Sequence, residues 1–308
     1  MELDARLLVE AQEVYLSGEN VMLWARRQLN VTHNTEDVIA LAYDLQSGTY
    51  LDFQAQNSAT SEARASELAG FFRAYATNLS SMVDLGSGEI NQFVNFQSKL
   101  GSLLPKDCIA LDISWSRLAV GKKALTPDFL PITPVVANFA ELPFPTSSVD
   151  MSFSDHALEP NGGSLRQIVA EIFRVTRRFC FFVEPVEALQ SQSGKRRMAS
   201  HGYISKLREV LIEEGGQIVD SHQVINNWND DNRAEAFVVE PPPKPAVSSD
   251  SEGAGEPLFT FTFPGTDFKL VEQSGWLHNS ALGVAFPVLE GIPVLLRSSA
   301  LLATRLGQ

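Results

Sequence analysis

The sequence VDLGSGEIN, which occupies positions 83–91, decides the fold. Apolar residues up to Leu85 predict a short buried strand, and residues 91–100 after the glycines predict a helix. Gly86 would make the tight turn between strand and helix, and Gly88 would let a ligand approach a backbone without a Cβ. Free N–H groups at the start of the helix would then face that ligand. The stretch therefore predicts a nucleotide-type site at the end of a strand.

Four more apolar segments continue this pattern, and they predict strands at 108–112, 135–137, 149–154 and 179–183. Helical segments separate the strands, notably residues 91–100 and 165–176. Strands that are apolar throughout and alternate with helices indicate a parallel sheet covered on both faces. A helix at 207–214 and an antiparallel pair at 218–225 and 234–239 are predicted at the sheet edge. The fold class is therefore α/β, a Rossmann-like doubly wound and mostly parallel sheet.

The chain before this sheet, residues 1–78, is predicted to be a helical cover. Apolar residues between Leu3 and Tyr15 recur at helical spacing, and a second helix is predicted at 21–29. Thr35 is predicted to cap a third helix. A turn at 43–50 and a helix at 61–78, capped at Ser61, complete this part.

The strongest boundary signal lies at residues 241–257, where a stiff proline run leads into a flexible Ser/Asp/Gly segment. The sequence therefore divides into a cover at 1–78, a main domain at 79–240, a linker at 241–257 and a small β-rich domain at 258–308. In the small domain, β-type segments are predicted at 259–263, 268–271 and 284–288, and a final helix near Ser298.

The formal net charge of −13 disfavours nucleic acid and anionic membranes as partners. The only short cationic cluster, residues 195–197, is interpreted as a solvated surface patch. No apolar run approaches the roughly 20 residues that span a bilayer, and the acidic start is unlike a signal peptide. Cys108 and Cys180 lie in apolar segments and are predicted to be reduced core thiols, so a cytoplasmic protein is expected.

The acidic residues distinguish between nucleotide classes. Asp112 ends the second strand, where its carboxylate can accept hydrogen bonds from ribose hydroxyls, and both NAD and S-adenosylmethionine fit this. Asp84, just before the first glycine, would repel a pyrophosphate but suits a cationic amino-acid group. The third glycine of a dinucleotide motif is absent, with Asn91 in its place. These features favour S-adenosylmethionine.

Four ordered motifs between about residues 80 and 185 carry a family resemblance. Residues 84–88 resemble the first motif of class I S-adenosylmethionine-dependent methyltransferases, and residues 110–114 look like the second. Residues 138–150 are similar to the adenine-contacting stretch of the small-molecule, type 11-like branch, with Asn138 where aspartate is frequent. The resemblance implies S-adenosyl-L-methionine as cofactor. The cofactor-binding residues it implies are Asp84, Gly86, Ser87, Gly88, Asp112, Ile113, Asn138, Phe139, Ala140 and Asp155.

The methyl acceptor is expected beside the residues that follow the fourth and fifth strands, because ligands lie beyond the carboxyl ends of such strands. Transfer to a hydroxyl needs a base near neutral pH, and His156 is the first candidate. The alternative is that His156 packs against the cofactor. Glu159, His201 and Tyr203 complete the predicted catalytic set. Glu184 would either bind the acceptor or accept hydrogen bonds from loop backbone N–H groups.

The C-terminal segment FPVLEGIPVLL, at 286–296, resembles the end of the Trm112-like zinc-ribbon family, whose members commonly serve as partners or activators of methyltransferases. That family often binds zinc through four cysteines, but this segment has none, and His278 alone cannot build a tetrahedral site. No metal site is therefore predicted. The resemblance implies a metal-free relative that docks on its own catalytic domain or on a partner protein; an unrelated appendage is the alternative. Four aromatic residues would stabilise it, namely Phe259, Phe261, Trp276 and Phe286.

The leading functional hypothesis is methylation of a small-molecule or sugar-like acceptor at oxygen. In related methyltransferases N-terminal helices commonly cover the cofactor, which makes Tyr43, Gln46 and Tyr50 candidates for closing over it. A protein or tRNA methyltransferase is the second hypothesis, suggested by the Trm112-like tail. Against it, residues 155–158 do not form an Asn-Pro-Pro-Tyr-type motif. A non-catalytic scaffold protein is the third.

Overall fold

The computed structural model describes residues 4–125, 131–244 and 259–306. Five helices precede the sheet: α1 (Ala5–Leu16), α2 (Val21–Gln28), α3 (Glu36–Leu45), α4 (Thr49–Gln56) and α5 (Ser58–Phe72). The predicted cap of α3 is confirmed, since Thr35 Oγ1 accepts the Val38 N–H. The prediction of a turn through position 50 and of a cap at Ser61 is wrong. Helix α4 occupies the end of that turn, and Ser61 is buried within α5, because the small residues at 58–60 extend this helix backwards.

The main domain is the predicted α/β sheet. Its elements are β1 (Ser81–Leu85), α6 (Asn91–Leu100), β2 (Asp107–Asp112), α7 (Trp115–Ala124), β3 (Ile132–Ala137), β4 (Val149–Asp155), α8 (Leu165–Val175), β5 (Thr176–Pro185), α9 (Gln192–His201), α10 (Leu207–Glu213), β6 (Gln217–Gln223) and β7 (Ala234–Glu240). The strand order is β6-β7-β5-β4-β1-β2-β3. Strands β1 to β5 pair in parallel, and β7 joins β5 and β6 antiparallel, as predicted.

The central strands are apolar on both faces because each face is covered. Val83 and Ile109 pack into a core that includes Ile172 of α8, whereas Met82 and Ala110 face the opposite core with Phe72 of α5. The period of two along each strand therefore divides the side chains between two buried layers.

The small domain continues the main sheet. Its strands are β8 (Val271–Gln273), β9 (Trp276–Asn279), β10 (Val284–Leu289), β11 (Ile292–Leu295) and β12 (Leu301–Leu302). Strand β11 pairs parallel with β3, through Val294 beside Val136. Arg297 Nε also lies 2.8 Å from Glu141 Oε2 across the junction. The described part of the C-terminal segment thus packs on the α/β domain of the same chain.

Three predictions for the C-terminal part fail. Residues 259–263 form no strand but only a bridge from Thr262 to Lys269, and the predicted strand at 268–271 begins only at Val271. The predicted final helix is a single 3-10 turn at Arg297–Ser299, because Leu301 and Leu302 then pair with β10. In the predicted linker, residues 245–257 lie outside the described residues, as do Leu258 and residues 307–308.

Cys108 and Cys180 are buried free thiols, as predicted. Within the described ranges, no helix combines the length and apolarity needed to cross a membrane.

Candidate active site

A cavity of about 810 Å³ lies at the carboxyl ends of β1 to β4. Small-molecule and cofactor sites typically measure roughly 300–1,000 Å³. Helices α3 and α4 and the loop at 224–233 wall the cavity on its outer side. Eleven of the fourteen predicted site residues line it: Gly86, Ser87, Asp112, Ile113, Asn138, Phe139, Ala140, Asp155, His156, Glu159 and Tyr203. Asp84, Gly88 and His201 do not belong to this lining.

The glycine loop turns sharply after β1. Gly86 has φ +73°, and its N–H donates to Leu111 O at 2.7 Å. A Cβ at Gly86 would collide with the Cβ of Ala157, so the loop after β4 lies directly against this turn. A Cβ at Gly88 would collide with the guanidinium of Arg117. The space beside Gly88 is thus filled by the end of the Arg117 side chain.

A strained residue precedes α6. Ile90 adopts the left-handed conformation, with φ +64°, and Asn91 begins α6. This conformation costs a β-branched residue on the order of 1–2 kcal/mol. Gly121 of α7 makes room for it, since a Cβ there would lie 2.8 Å from Ile90 Cγ1. The strain is held by the packing of a fully buried side chain.

Two carboxylates accept hydrogen bonds from the glycine loop. Asp84 is buried and accepts a hydrogen bond from Ser87 Oγ at 2.5 Å. Burial raises the pKa of Asp84 to about 7; the Ser87 hydrogen bond opposes this, and the charges of Asp155 and Asp112 add to it. Asp112 accepts the N–H groups of Gly88 at 2.8 Å and Ser114 at 2.9 Å, one on each oxygen. Each of its oxygens keeps a further lone pair for a hydroxyl in the cavity.

Asn138 is fixed between the sheet and the cover. Its Nδ2 donates to Glu36 Oε2 at 2.7 Å, and its Oδ1 accepts the Ala140 N–H at 3.0 Å. Glu36 belongs to the first turn of α3. This link could not be predicted, because nothing in the sequence relates positions 102 residues apart.

Asp155 is held by an arginine that the sequence analysis missed. Arg64 of α5 is fully buried, its Nη2 lies 2.5 Å from Asp155 Oδ1, and its guanidinium is 4.5 Å from the ring centroid of Trp228. Asp155 Oδ2 has no hydrogen-bond partner. An arginine within a helix resembles a surface residue in sequence, and only the fold shows that it neutralises a carboxylate in the cavity wall.

His156 and Glu159 form a hydrogen-bonded pair in the loop after β4. The Nδ1 of His156 contacts Glu159 Oε1, which also accepts Asn232 Nδ2 at 2.7 Å. Burial raises the pKa of Glu159, but the charge and hydrogen bond of His156, with Asn232 and Arg197, outweigh it, so the pKa is lowered. The lowered pKa of Glu159 thus depends on the charge of His156, and the other ring nitrogen, Nε2, lies 4.0 Å from Asp155 Oδ1.

Glu184, at the end of β5, takes the capping role of its two predicted alternatives. Its Oε1 accepts the N–H groups of Ala157 and Leu158, each at 3.1 Å. Burial, and then the charge of Glu159, raises the pKa of Glu184 well above its usual range. Glu184 thus shapes the loop that carries His156, which itself has φ +56°.

The residues after β5 divide between cavity and exterior. Tyr203 lines the cavity, and Arg197 Nη2 lies 3.5 Å from its hydroxyl. His201 lies outside the cavity, because it ends α9 and its Nδ1 is 2.9 Å from Arg197 O within that helix. Arg196 is exposed, as predicted for the cationic cluster, but Arg197 lines the cavity, so the surface interpretation is wrong for that residue.

The cover is fastened to the glycine loop. Glu89 accepts the N–H of Gly48 at 2.8 Å and of Leu51 at 2.7 Å, at the start of α4. A carboxylate there stabilises the helix through both hydrogen bonds and the helix dipole. Arg117 lies 4.3 Å from the ring centroid of Tyr50, and both Tyr43 and Tyr50 line the cavity, whereas Gln46 is not part of the lining.

The loop at 224–233 supplies cavity residues that the sequence analysis missed, namely Trp228, Asn229, Asp230 and Asn232. Glu67 of α5 holds this loop, since its carboxylate accepts the backbone N–H groups of Ile225 at 2.7 Å and Asn226 at 2.9 Å. The only sequence signal was a polar stretch containing a tryptophan between two strands.

Residues 83–183 match a family model described as a methyltransferase domain. The chain therefore contains a methyltransferase domain, which supports an enzyme that uses S-adenosylmethionine. No curated protein matches the chain.

Several solved structures are similar to the chain. A geranyl diphosphate C-methyltransferase from Streptomyces coelicolor A3(2) has 11% identity and a TM-score of 0.44, over 57% of this chain and 79% of that one. A complex between the Haloferax volcanii Trm112 methyltransferase activator and the putative methyltransferase has 16% identity and a TM-score of 0.48. That match covers 64% of this chain and 97% of the other. A SAM-dependent methyltransferase from Methanosarcina mazei has 15% identity and a TM-score of 0.45, over 53% of this chain and 93% of the other.

Proposed function

We propose that the enzyme methylates a hydroxyl oxygen of a small-molecule or sugar-like acceptor, with His156 as general base. The observation that carries this proposal is the pairing of His156 with Glu159 in the cavity wall, one residue from the Ala157 contact with the glycine turn. A base placed beside the cofactor loop is what transfer to a hydroxyl requires.

The chain's residues fit S-adenosylmethionine. Asp112, with free lone pairs facing the cavity, would bind the ribose hydroxyls, and Asn138 with Phe139 would contact the adenine. Gly86, Ser87, Ile113, Ala140 and Asp155 would complete the walls of the cofactor half. Asp84 and Gly88 would act indirectly, through the hydrogen bonds that shape the loop. When bound, the cofactor supplies a methyl group on a cationic sulfur.

Protein residues would accept the proton that leaves the acceptor hydroxyl. Glu159 accepts at Nδ1 of His156, which leaves Nε2 to take the proton from the acceptor hydroxyl as the oxygen acquires its new bond to the methyl carbon. Ionised Glu159 then stabilises the imidazolium, and Asn232 keeps Glu159 in place. Tyr203 would contact the acceptor, whereas His201, outside the cavity, would affect only α9.

A small acceptor is favoured by the size of the cavity, about 810 Å³. Helices α3 and α4 contribute to its lining and are fastened through Glu36 and Glu89. The acidic chain would also repel RNA.

A screen with trideuteromethyl-labelled S-adenosylmethionine and a small-metabolite extract tests this proposal. We expect a labelled product whose methyl group sits on oxygen, and a loss of that product in His156→Ala with cofactor affinity retained. Labelling of protein or RNA alone, or full turnover by His156→Ala, would contradict the proposal.

We further propose that the division into a cover (1–78), a catalytic domain (79–240), a linker (241–257) and a Trm112-like domain (258–308) holds, with the last acting in cis and without zinc. Two observations support this proposal. The Trm112-like segment at 286–296 forms the β10–β11 hairpin, and β11 pairs with β3. Phe286 packs 5.7 Å from Phe263 between ring centroids, and Phe259 and Phe261 pack against Phe144.

Cleavage of a protease site placed in the linker tests the docking. The two fragments should co-elute from a sizing column and retain cofactor binding, because β3 and β11 share a sheet. Separation of the fragments under native conditions would refute docking in cis. Stoichiometric zinc in the purified protein would refute the metal-free assignment.

A further inference from the structure

Arg197 differs from the other two arginines around the cavity because no described carboxylate forms a salt bridge with it, although the charges of Glu159 and Asp231 act on it from further away. Arg64 is paired with Asp155, and Arg117 lies 3.9 Å from Glu89 and stacks on tyrosine rings. Among the residues that the structure describes, no carboxylate lies within salt-bridge distance of Arg197. Within the described ranges, the side chain of Arg197 forms one hydrogen bond, the 3.5 Å contact with Tyr203, and its Nη1 is buried without a partner.

A buried N–H group with an unmade hydrogen bond is costly, and an anion in the cavity would satisfy Nη1 of Arg197. The planar fork of arginine matches a carboxylate through two parallel hydrogen bonds. A second donor lines the same cavity, since the Trp228 Nε1–H is also buried without a partner. The cavity wall therefore contains unused donors in an otherwise acidic protein.

The position of Arg197 places this anion site in the acceptor half. Its guanidinium lies 5.2 Å from the ring centroid of Tyr203, and the charge of Glu159 acts on both Tyr203 and Arg197. Glu159 in turn contacts His156. The proposed base and the unpaired cation thus belong to one continuous wall.

We propose that the acceptor is a hydroxycarboxylate, whose carboxylate is bound by Arg197 while its hydroxyl faces His156. This rests on the proposed function and names its substrate class. A carboxylate is favoured over a phosphate monoester because Glu159 and Asp230 also line the cavity. One guanidinium balances a single negative charge there, whereas a dianion would leave a charge facing these carboxylates.

The test uses the full chain saturated with S-adenosylhomocysteine and a panel of matched pairs. Each pair is a hydroxycarboxylate and its carboxamide, for example 3-hydroxybenzoate with 3-hydroxybenzamide and mandelate with mandelamide; 3-hydroxyphenyl phosphate is included. Affinities are measured by ligand-observed NMR. We compare wild type with Arg197→Gln and with Arg196→Gln, which removes the same charge from the exposed neighbour.

At least one carboxylate should bind about tenfold tighter than its amide in wild type and Arg196→Gln, and Arg197→Gln should lose that preference. Arg197→Lys keeps the positive charge but not the two parallel N–H donors, so it should keep part of the preference for carboxylate over amide. The inference is overturned if no pair shows a preference, if Arg197→Gln keeps it, or if the phosphate binds tighter than every carboxylate. A failure to bind S-adenosylhomocysteine would instead count against the proposed function, and the pairs can then be compared on the free protein.

Discussion

Replacing Asp84 with asparagine should stabilise the protein, and increasingly so as the pH rises. Asp84 is 2% exposed, and its pKa is raised from 3.8 to about 7. Between these two values the folded state binds more protons than the unfolded chain, so wild-type stability falls as pH rises. The penalty is about 2 kcal/mol at pH 5.5 and about 4 kcal/mol at pH 8, at 1.36 kcal/mol per pKa unit.

Asp84→Asn keeps an oxygen that accepts the Ser87 hydrogen bond but does not titrate. Urea unfolding at pH 5.5 and pH 8 measures the difference between the variant and wild type. We expect that difference to grow by about 2 kcal/mol across this range. Asp52→Asn, at an exposed position of α4, is the control for removal of one charge and should show no such growth. A stability difference that stays constant between the two pH values would refute the argument from burial.

Three further predictions follow from the site. His156→Ala should lower kcat by about 10²–10⁴-fold with an unchanged cofactor Kd, measured by steady-state kinetics and calorimetry; an unchanged kcat would remove His156 as base. Glu89→Gln should remove one of the two hydrogen bonds to α4, because an amide has a single acceptor oxygen, and cost about 1 kcal/mol locally, seen as faster amide exchange at residues 48–56; unchanged exchange would show that Glu89 does not hold the cover. Arg64→Met should destabilise the fold by about 3–5 kcal/mol by leaving Asp155 unpaired, and adding Asp155→Asn should restore part of this loss; an equal loss in the double variant would deny the pairing.

The fold was predictable from sequence where the signal is local. Strands such as β1 and β2 are apolar runs that end in glycine or aspartate, and their boundaries were predicted to within a residue. Helix α4 was missed because its start depends on Glu89, which lies 38 residues away from Leu51. The C-terminal 3-10 turn was mistaken for a helix because the pairing of Leu301 with β10 is likewise non-local.

The candidate site also combines residues with a local sequence signal and residues that only the fold brings to the cavity. The residues of the proposed cofactor half could be predicted as a group because they lie in ordered motifs next to strands, and Asp112 and Asn138 do line the cavity. Arg64 and Arg197 were invisible as site residues, since an arginine in a polar helix has no local mark that distinguishes cavity from solvent. The contact of Arg117 with Gly88 was equally invisible, because it joins the glycine loop to α7, which is distant in sequence.

Calorimetry of the full chain with S-adenosylmethionine tests the central claim most directly, with Asp112→Ala as the matched variant. The account predicts saturable binding at one site per chain and a loss of at least about tenfold in affinity for Asp112→Ala, because two ribose hydrogen bonds to a charged group are removed. An absence of binding at millimolar ligand, or equal affinity for the variant, would contradict it.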